Sequence, residues 1–448
     1  MSIFRSYDVR GIYGKDITGQ VMKGIGNAFG NCSRLDVVVG RDCRLSSKEL
    51  QGFFVKGLVE TGKDVIDVGE VPLGAGMFYA WKTGKDFAYI TASHLPKEWN
   101  GVKFFHANGI GYIEDENMKV RDFYLNGPVV ATRHGKVLNP EWDVIGEYKR
   151  FLLSKIKAGR RLKVILDCGN GMAGLAAPQL FREAGFDVEA VFEKPDGSFP
   201  NRSPDQMEDP LNELRKRVTK ADLGIAYDGD GDRMCLVDKE GRKLTPEQSS
   251  IFILTELLKH EKGPVVANVE CTRAIDVIVE RFSRKVKRVK VGHTFLMEGV
   301  RAGKACFGVE VSGHYVIPSL VPFDDSLAVS LYAAAALSLK QKPLDEEIKD
   351  IPVYPFERVN FDCDDSRKFD VVEGLKKSLG EKYGKLNLMD GIRIDMDDGW
   401  VLIRPSNTSP TIRLTVESLT EGGKERIKKR FSAILENAIK ADAKRKAI

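Results

Sequence analysis

The chain has 448 residues, too many for one hydrophobic core, and its length points to roughly three or four domains. Hydrophobic residues make up 42% and charged residues 30%, an ordinary globular balance. The net charge of +5 is small for this size, and the last basic stretch (424–446) follows an amphipathic helical pattern, which argues against a nucleic-acid binder.

The N-terminus, MSIFRSYDVRG, carries charges where a signal peptide needs an apolar run. From there strand-like runs alternate with helical patterns, the signature of α/β layers with strands buried on both faces. A first unit reads VVVGRD (37–42), a helix, DVIDVG (64–69) and FAYITASH (87–94), returning through GVKFF. A second reads KVILDCGNG (163–171), a helix, DVEAVF (187–192) and DLGIAYDGDGDR (222–233), returning through MCLVD. A third reads PVVANVECT (264–272), a helix, VKRVKVG (286–292) and CFGVEVSGH (306–314), returning through YVIP. Residues 326–339 form the longest apolar stretch, only 14 residues, too short to span a membrane and predicted to be a buried helix. From about residue 353 the pattern breaks, and WVLIRPSNTSPTIRLTVES (400–418) gives strand, loop and strand before the last helix. The expected fold is therefore α/β: three topologically similar α/β domains (1–147, 148–247 and 248–352) and a C-terminal α+β domain (353–448). Cysteines 32, 43, 168, 235, 271, 306 and 363 include no Cys-x-x-Cys pair, which predicts reduced thiols in a cytoplasmic protein.

Each repeat ends its third strand in a polar loop, where open α/β sheets bind ligands. In DGDGDR, Asp228, Asp230 and Asp232 alternate with glycines, and carboxylates this close repel unless a cation such as Mg²⁺ or Ca²⁺ sits among them. An EF-hand is rejected, because the positions that need Gly and Glu hold Arg233 and Lys239. Arg233 suits a phosphoryl oxygen. In TASHLPKEWNGVK, Ser93 at a strand end near such a cation can carry a phosphoryl group, with Lys103 on the return strand. No G-x-S-x-G elbow surrounds Ser93, against a serine hydrolase. In GVEVSGH, Glu310 and Ser312 fit vicinal sugar hydroxyls. In RPSNTSP, Arg404, Ser406, Asn407 and Thr408 fit a phosphate dianion. Taken alone, the third loop also reads as an ordinary turn at Gly313, and the fourth does not by itself single out a phosphate site.

Together and in this order, the four loops resemble the α-D-phosphohexomutase family. TASHLPKEWNGVK is similar to its phosphoserine loop, DGDGDR to its metal loop, GVEVSGH to its sugar loop and RPSNTSPTIR to its phosphate loop; FRSYDVRGIYG (4–14) and VGRD (39–42) agree. The resemblance implies four domains around a central active-site cleft, a phosphorylated Ser93, and Mg²⁺ held by Asp228, Asp230, Asp232 and a phosphoserine oxygen. It implies phosphosugar substrates and exchange between hexose 1-phosphate and 6-phosphate through a hexose 1,6-bisphosphate, with Glu310 and Ser312 on the sugar 3- and 4-hydroxyls. Arg404, Ser406, Asn407 and Thr408 would take the distal phosphate. Arg10, Lys103, Arg233 and His314 are the matching catalytic candidates, and His293 in KVGHTF faces the cleft in such enzymes. The E-x-S-G-H spelling favours phosphomannomutase/phosphoglucomutase activity, and phosphoglucosamine mutase is the alternative. A phosphatase or a non-catalytic phosphosugar binder is the reading outside that class. Two departures stand out: Leu95 where the family usually has Asn, and Glu270 where related bacterial enzymes often carry a substrate-contacting lysine. A carboxylate there is expected to repel a phosphosugar.

Overall fold

The computed structural model describes residues 3–406 and 410–446. It divides into two compact units, Met1–Val266 with Gly292–Asp350, and Ala267–Val291 with Ile351–Ile448.

In the first unit the short β-branched and aromatic runs become strands, buried on both faces of a sheet on which such side chains pack well. One six-stranded sheet has the order Asp8–Ile12, Trp99–Phe105, Asp86–Ile90, Val37–Arg41, Val65–Glu70, Val137–Leu138. Val37–Arg41 pairs parallel with both Asp86–Ile90 and Val65–Glu70, while Trp99–Phe105 returns antiparallel to Asp86–Ile90 and pairs with Asp8–Ile12. All five residues of Asp86–Ile90 are buried, so the loop at its carboxyl end is carried on a fixed support. The second sheet repeats the plan in the order Met234–Val237, Leu223–Tyr227, Lys163–Asp167, Asp187–Val191, again with two parallel pairs and one antiparallel return. Phe307–Val309 and Tyr315–Val316 form the corresponding hairpin of the third repeat. Three buried strands thus end in the three polar loops.

The apolar stretch after residue 325 is the helix Ser326–Ser338, buried along nearly its whole length. Asp325 caps it, its Oδ1 accepting from the Leu327 and Ala328 amides, and the Tyr148 hydroxyl donates to the same carboxylate at 2.8 Å. Burial pushes the Asp325 carboxyl up to about 7, against the pull of these hydrogen bonds. A carboxyl raised above its unfolded value of about 3.9 binds protons more tightly in the folded state. Its contribution to stability is therefore complete below that value and lost as pH rises through about 7. Asp325→Asn keeps the Oδ1 acceptor and removes the titration. Urea unfolding at pH 5 and pH 8 is expected to show the parent losing stability relative to this variant as the pH rises.

In the second unit an antiparallel sheet has the order Phe356–Asp362, Thr411–Ser418, Gly399–Pro405, Ile392–Met396. The helices Lys368–Tyr383 and Glu421–Lys446 cover it, with Val371, Leu375, Ile403, Leu414, Phe431 and Leu435 in its core. The segment Ala267–Val291 belongs to this unit and holds the strand Val286–Val289. No described helix is long and apolar enough to cross a membrane, and all seven cysteines are free.

Candidate functional site

Ser93 lies in the first polar loop with its backbone in the left-handed region, φ 52°, a conformation that costs a non-glycine residue about 1–2 kcal/mol. The surroundings hold it there. Its N–H donates to Thr91 Oγ1 at 2.7 Å, and Thr91 Oγ1 donates to Asp42 Oδ2 at 2.7 Å. The buried Arg44 guanidinium pairs with Asp42 and donates to the carbonyls of Ser93, Leu95, Pro96 and Trp99. The Ser93 side chain is completely buried, and its hydroxyl donates to Asp228 Oδ2 at 2.9 Å. The loops of two repeats therefore meet at one hydroxyl. Gly229 permits the approach: a Cβ there would lie 2.6 Å from the Ser93 carbonyl oxygen.

Asp228, Asp230 and Asp232 are buried, and one oxygen of each lies within 4.8 Å of the others. Lys103 Nζ donates to Asp230 Oδ2 at 3.0 Å and Asp232 Oδ2 at 2.6 Å. Burial alone would lower the Lys103 ammonium, but these two carboxylates hold it above its usual range, so it is charged at neutral pH. Lys103 and the Arg233 guanidinium, its Nε 3.8 Å from Asp232 Oδ1, do not balance three carboxylates. Burial, with Asp232 and Asp230 alongside, drives the Asp228 carboxyl well above its ordinary value. Burial also works to raise Asp232, but the Lys103 ammonium, helped by Arg233, holds it well below. Asp230 Oδ1 and Asp232 Oδ1 are buried without a hydrogen-bond partner. A hard, oxygen-seeking divalent cation fits this set, because it supplies both the missing charge and partners for the orphaned oxygens.

The third loop adjoins this cluster. Glu310 Oε2 accepts from the Gly292 amide at 3.0 Å, and Ser312 Oγ donates to Glu310 Oε1 at 2.8 Å. With its one hydrogen so used, Ser312 Oγ accepts from His314 Nδ1 at 2.8 Å, which assigns the ring proton to Nδ1. His314 Nε2 then carries the lone pair and accepts from Arg233 Nε at 3.3 Å. Arg233 Nε also lies 3.8 Å from Asp232 Oδ1. His293 opens the helix His293–Gly303, stacks on His314 with centroids 5.4 Å apart, and places Nδ1 3.4 Å from Asp324 Oδ2. Arg10 lies on the strand beside Lys103, its Nε bonded to Asp8 Oδ2 at 2.5 Å. Its charge reaches His94, which burial, Arg233 and Arg10 hold well below the usual imidazole range. His94 Nδ1 is 3.4 Å from Ser93 Oγ.

The first unit thus brings together Ser93, Arg10, Lys103, the three aspartates, Arg233, His293, Glu310, Ser312 and His314. Arg404 and Ser406 lie buried in the second unit, where the Lys368 ammonium donates to the Ser406 carbonyl at 2.5 Å. Asn407 and Thr408 lie outside the described residues. Two contributors escape a reading of the sequence. Arg44 stands just beyond VGRD, and its bonds reach residues about fifty positions away. Asp324, in the FDDS run, is buried between the two histidines with neither oxygen hydrogen-bonded. A pair of acids after an apolar strand is its only local sign.

Four family models match, described as phosphoglucomutase/phosphomannomutase α/β/α domain I (residues 1–128), domain II (145–241), domain III (245–354) and the C-terminal domain (359–434). A Methanopyrus kandleri protein named "Probable phosphoglucosamine mutase" is 32% identical over 445 residues, covering 97% of this chain and 98% of its own. The phosphomannomutase/phosphoglucomutase of Pseudomonas putida is 32% identical over 448 residues, covering 96% and 94%. The crystal structure of a phosphoglucomutase/phosphomannomutase family protein from Burkholderia thailandensis superposes with a TM-score of 0.88 at 29% identity, covering 97% of both chains. With all four domains matched in order along most of its length, the chain belongs to the phosphoglucomutase/phosphomannomutase family.

Proposed function

We propose that this phosphohexomutase interconverts the 1-phosphate and 6-phosphate of mannose or glucose, through a phosphorylated Ser93 and a hexose 1,6-bisphosphate. The observation that carries this reading is the buried Ser93 hydroxyl, 2.9 Å from Asp228 at the edge of a three-carboxylate cluster. Asp228, Asp230 and Asp232, with an oxygen of the phosphorylated serine, would hold Mg²⁺, which when bound neutralises phosphate charge. The remaining work falls to the side chains. The free hydroxyl oxygen of the sugar attacks phosphorus, and the bond from phosphorus to Ser93 Oγ breaks with its electron pair staying on Oγ until that oxygen attacks the returning phosphoryl group. The hydroxyl proton passes to His314 Nε2, the ring atom that carries a lone pair. Lys103, kept protonated by its two carboxylates, and Arg233 place positive charge beside the transferring group. Arg10 adds to that field.

After the bisphosphate turns end for end, its other phosphoryl group returns to Ser93 and His314 gives the proton to the departing sugar oxygen. Glu310 and Ser312 take the 3- and 4-hydroxyls, which glucose and mannose share, so both epimers are substrates. Arg404, Ser406, Asn407 and Thr408 take the phosphate that is not being transferred. The scattered free thiols support a cytoplasmic setting.

The second reading is a phosphoglucosamine mutase, favoured by the Methanopyrus kandleri match at the same 32% identity as the Pseudomonas putida enzyme. Assays of mannose, glucose and glucosamine 1-phosphates in parallel decide between them. Conversion of the first two is the expected result. Turnover of glucosamine 1-phosphate alone would select the second reading, and steady release of inorganic phosphate without isomerised sugar would make the protein a phosphatase.

A further inference from the structure

Glu270 is buried in the second unit, at 1% exposure, among arginines. Its Oε2 accepts from Arg358 at 2.9 Å. Its Oε1 lies 3.5 Å from an Arg404 nitrogen without a hydrogen bond. Arg404 Nε in turn is 3.9 Å from Asp390 Oδ2 and is also buried without a hydrogen-bond partner. Arg404 and Arg413 are cross-strand partners, an arrangement in which like charges repel. Burial, together with Arg358 and Arg404, pulls the Arg413 guanidinium below its usual range, while Glu270 works the other way. Three guanidiniums therefore share two carboxylates.

The form of the Glu270–Arg404 contact matters more than its presence. A buried ion pair that served only to hold the fold would use its hydrogen bonds, because unfilled donors and acceptors cost stability there. Here both Arg404 Nε and Glu270 Oε1 are left unfilled. Charge is compensated while hydrogen-bonding capacity is kept. A phosphate dianion is a group that can use such capacity, and it competes with Glu270 for the same guanidinium.

We infer that Glu270 is the charge-balancing residue of the phosphate-binding arginines, weakening their hold so that a phosphate group binds Arg404 and leaves again in each turnover. This rests on the phosphate role proposed above for Arg404. It gives the departure at Glu270 a function: the carboxylate is engaged by arginines, and its repulsion of phosphate is what permits release. A mutase whose intermediate must turn over has use for a grip of limited strength.

The test is isothermal titration of inorganic phosphate into the full-length protein and into Glu270→Gln, which keeps the shape and removes the charge. The variant is expected to bind phosphate at least on the order of tenfold tighter, the lower end of what one unit charge a few ångströms away contributes. Adding Arg404→Gln is expected to cancel the gain. A purely structural Glu270 would give weaker binding, since its loss would loosen the arginines. Unchanged or weaker binding by a folded Glu270→Gln protein overturns the inference. If that variant does not fold, Asp390→Asn decides, with a smaller gain expected because its contact with Arg404 is longer. Tighter phosphate binding in a protein that isomerises no hexose phosphate would uphold the inference while the mutase reading fell.

Discussion

Ser93→Ala is expected to give a folded protein that lacks the covalent phosphoryl group proposed for the parent and has lost hexose phosphate interconversion by on the order of 10³-fold or more. The stability effect is expected to be small, within about 1 kcal/mol, because most of what holds residue 93 belongs to the backbone. The amide bonded to Thr91 and the carbonyl bonded to Arg44 are present in alanine as in serine. The left-handed φ of 52° strains both side chains alike. Only the hydroxyl and its bond to Asp228 are lost. The intact mass of the purified proteins, a melting curve and a coupled mutase assay check the three parts separately. A variant that still carries the phosphoryl group would place the nucleophile elsewhere, however inactive it proved.

The contrast between what the chain shows in one dimension and what it hides follows from distance along the sequence. Asp228, Asp230 and Asp232 lie in one loop, so their alternation already states that three carboxylates share a small volume. The strand ahead of TASH is legible for a similar reason: five consecutive buried residues need a continuous apolar run. Arg44 is not legible. In RDCRLSS it looks like a solvated residue between a strand and a helix, and only the folded chain brings it to the carbonyls of residues 93–99. Asp324 is hidden in the same way, since the two histidines it faces come from different loops. Glu270 is legible only in part. Read singly it is an anion facing a phosphate site, but Arg358, 88 positions later, pairs with it and changes its meaning. Spacing reveals what neighbours can do together, and is silent on which distant loops will meet.

Arg44→Met is expected to lower the unfolding free energy by about 3–5 kcal/mol and to abolish the proposed phosphorylation of Ser93, although no residue given a chemical role is replaced. The guanidinium is buried, pairs with Asp42, and donates to four carbonyls of the Ser93 loop. It also sits over the Phe199 ring, 5.2 Å from its centroid. Methionine fills much of the volume but supplies no donor, so four loop carbonyls lose a partner and the Asp42 carboxylate loses its cation. Asp42 would keep its bonds from Ser47 and Thr91, too little to offset a buried uncompensated charge. The loop can then relieve the left-handed backbone at Ser93, and the hydroxyl moves away from the aspartates. Arg44→Lys restores the charge but offers a compact ammonium with three donors in place of a planar fork. It is therefore expected to recover part of the stability and little of the activity. Melting curves and intact masses of both variants test the claim. An Arg44→Met protein that melts with the parent and still gains a phosphoryl group would show that the loop is held by other contacts.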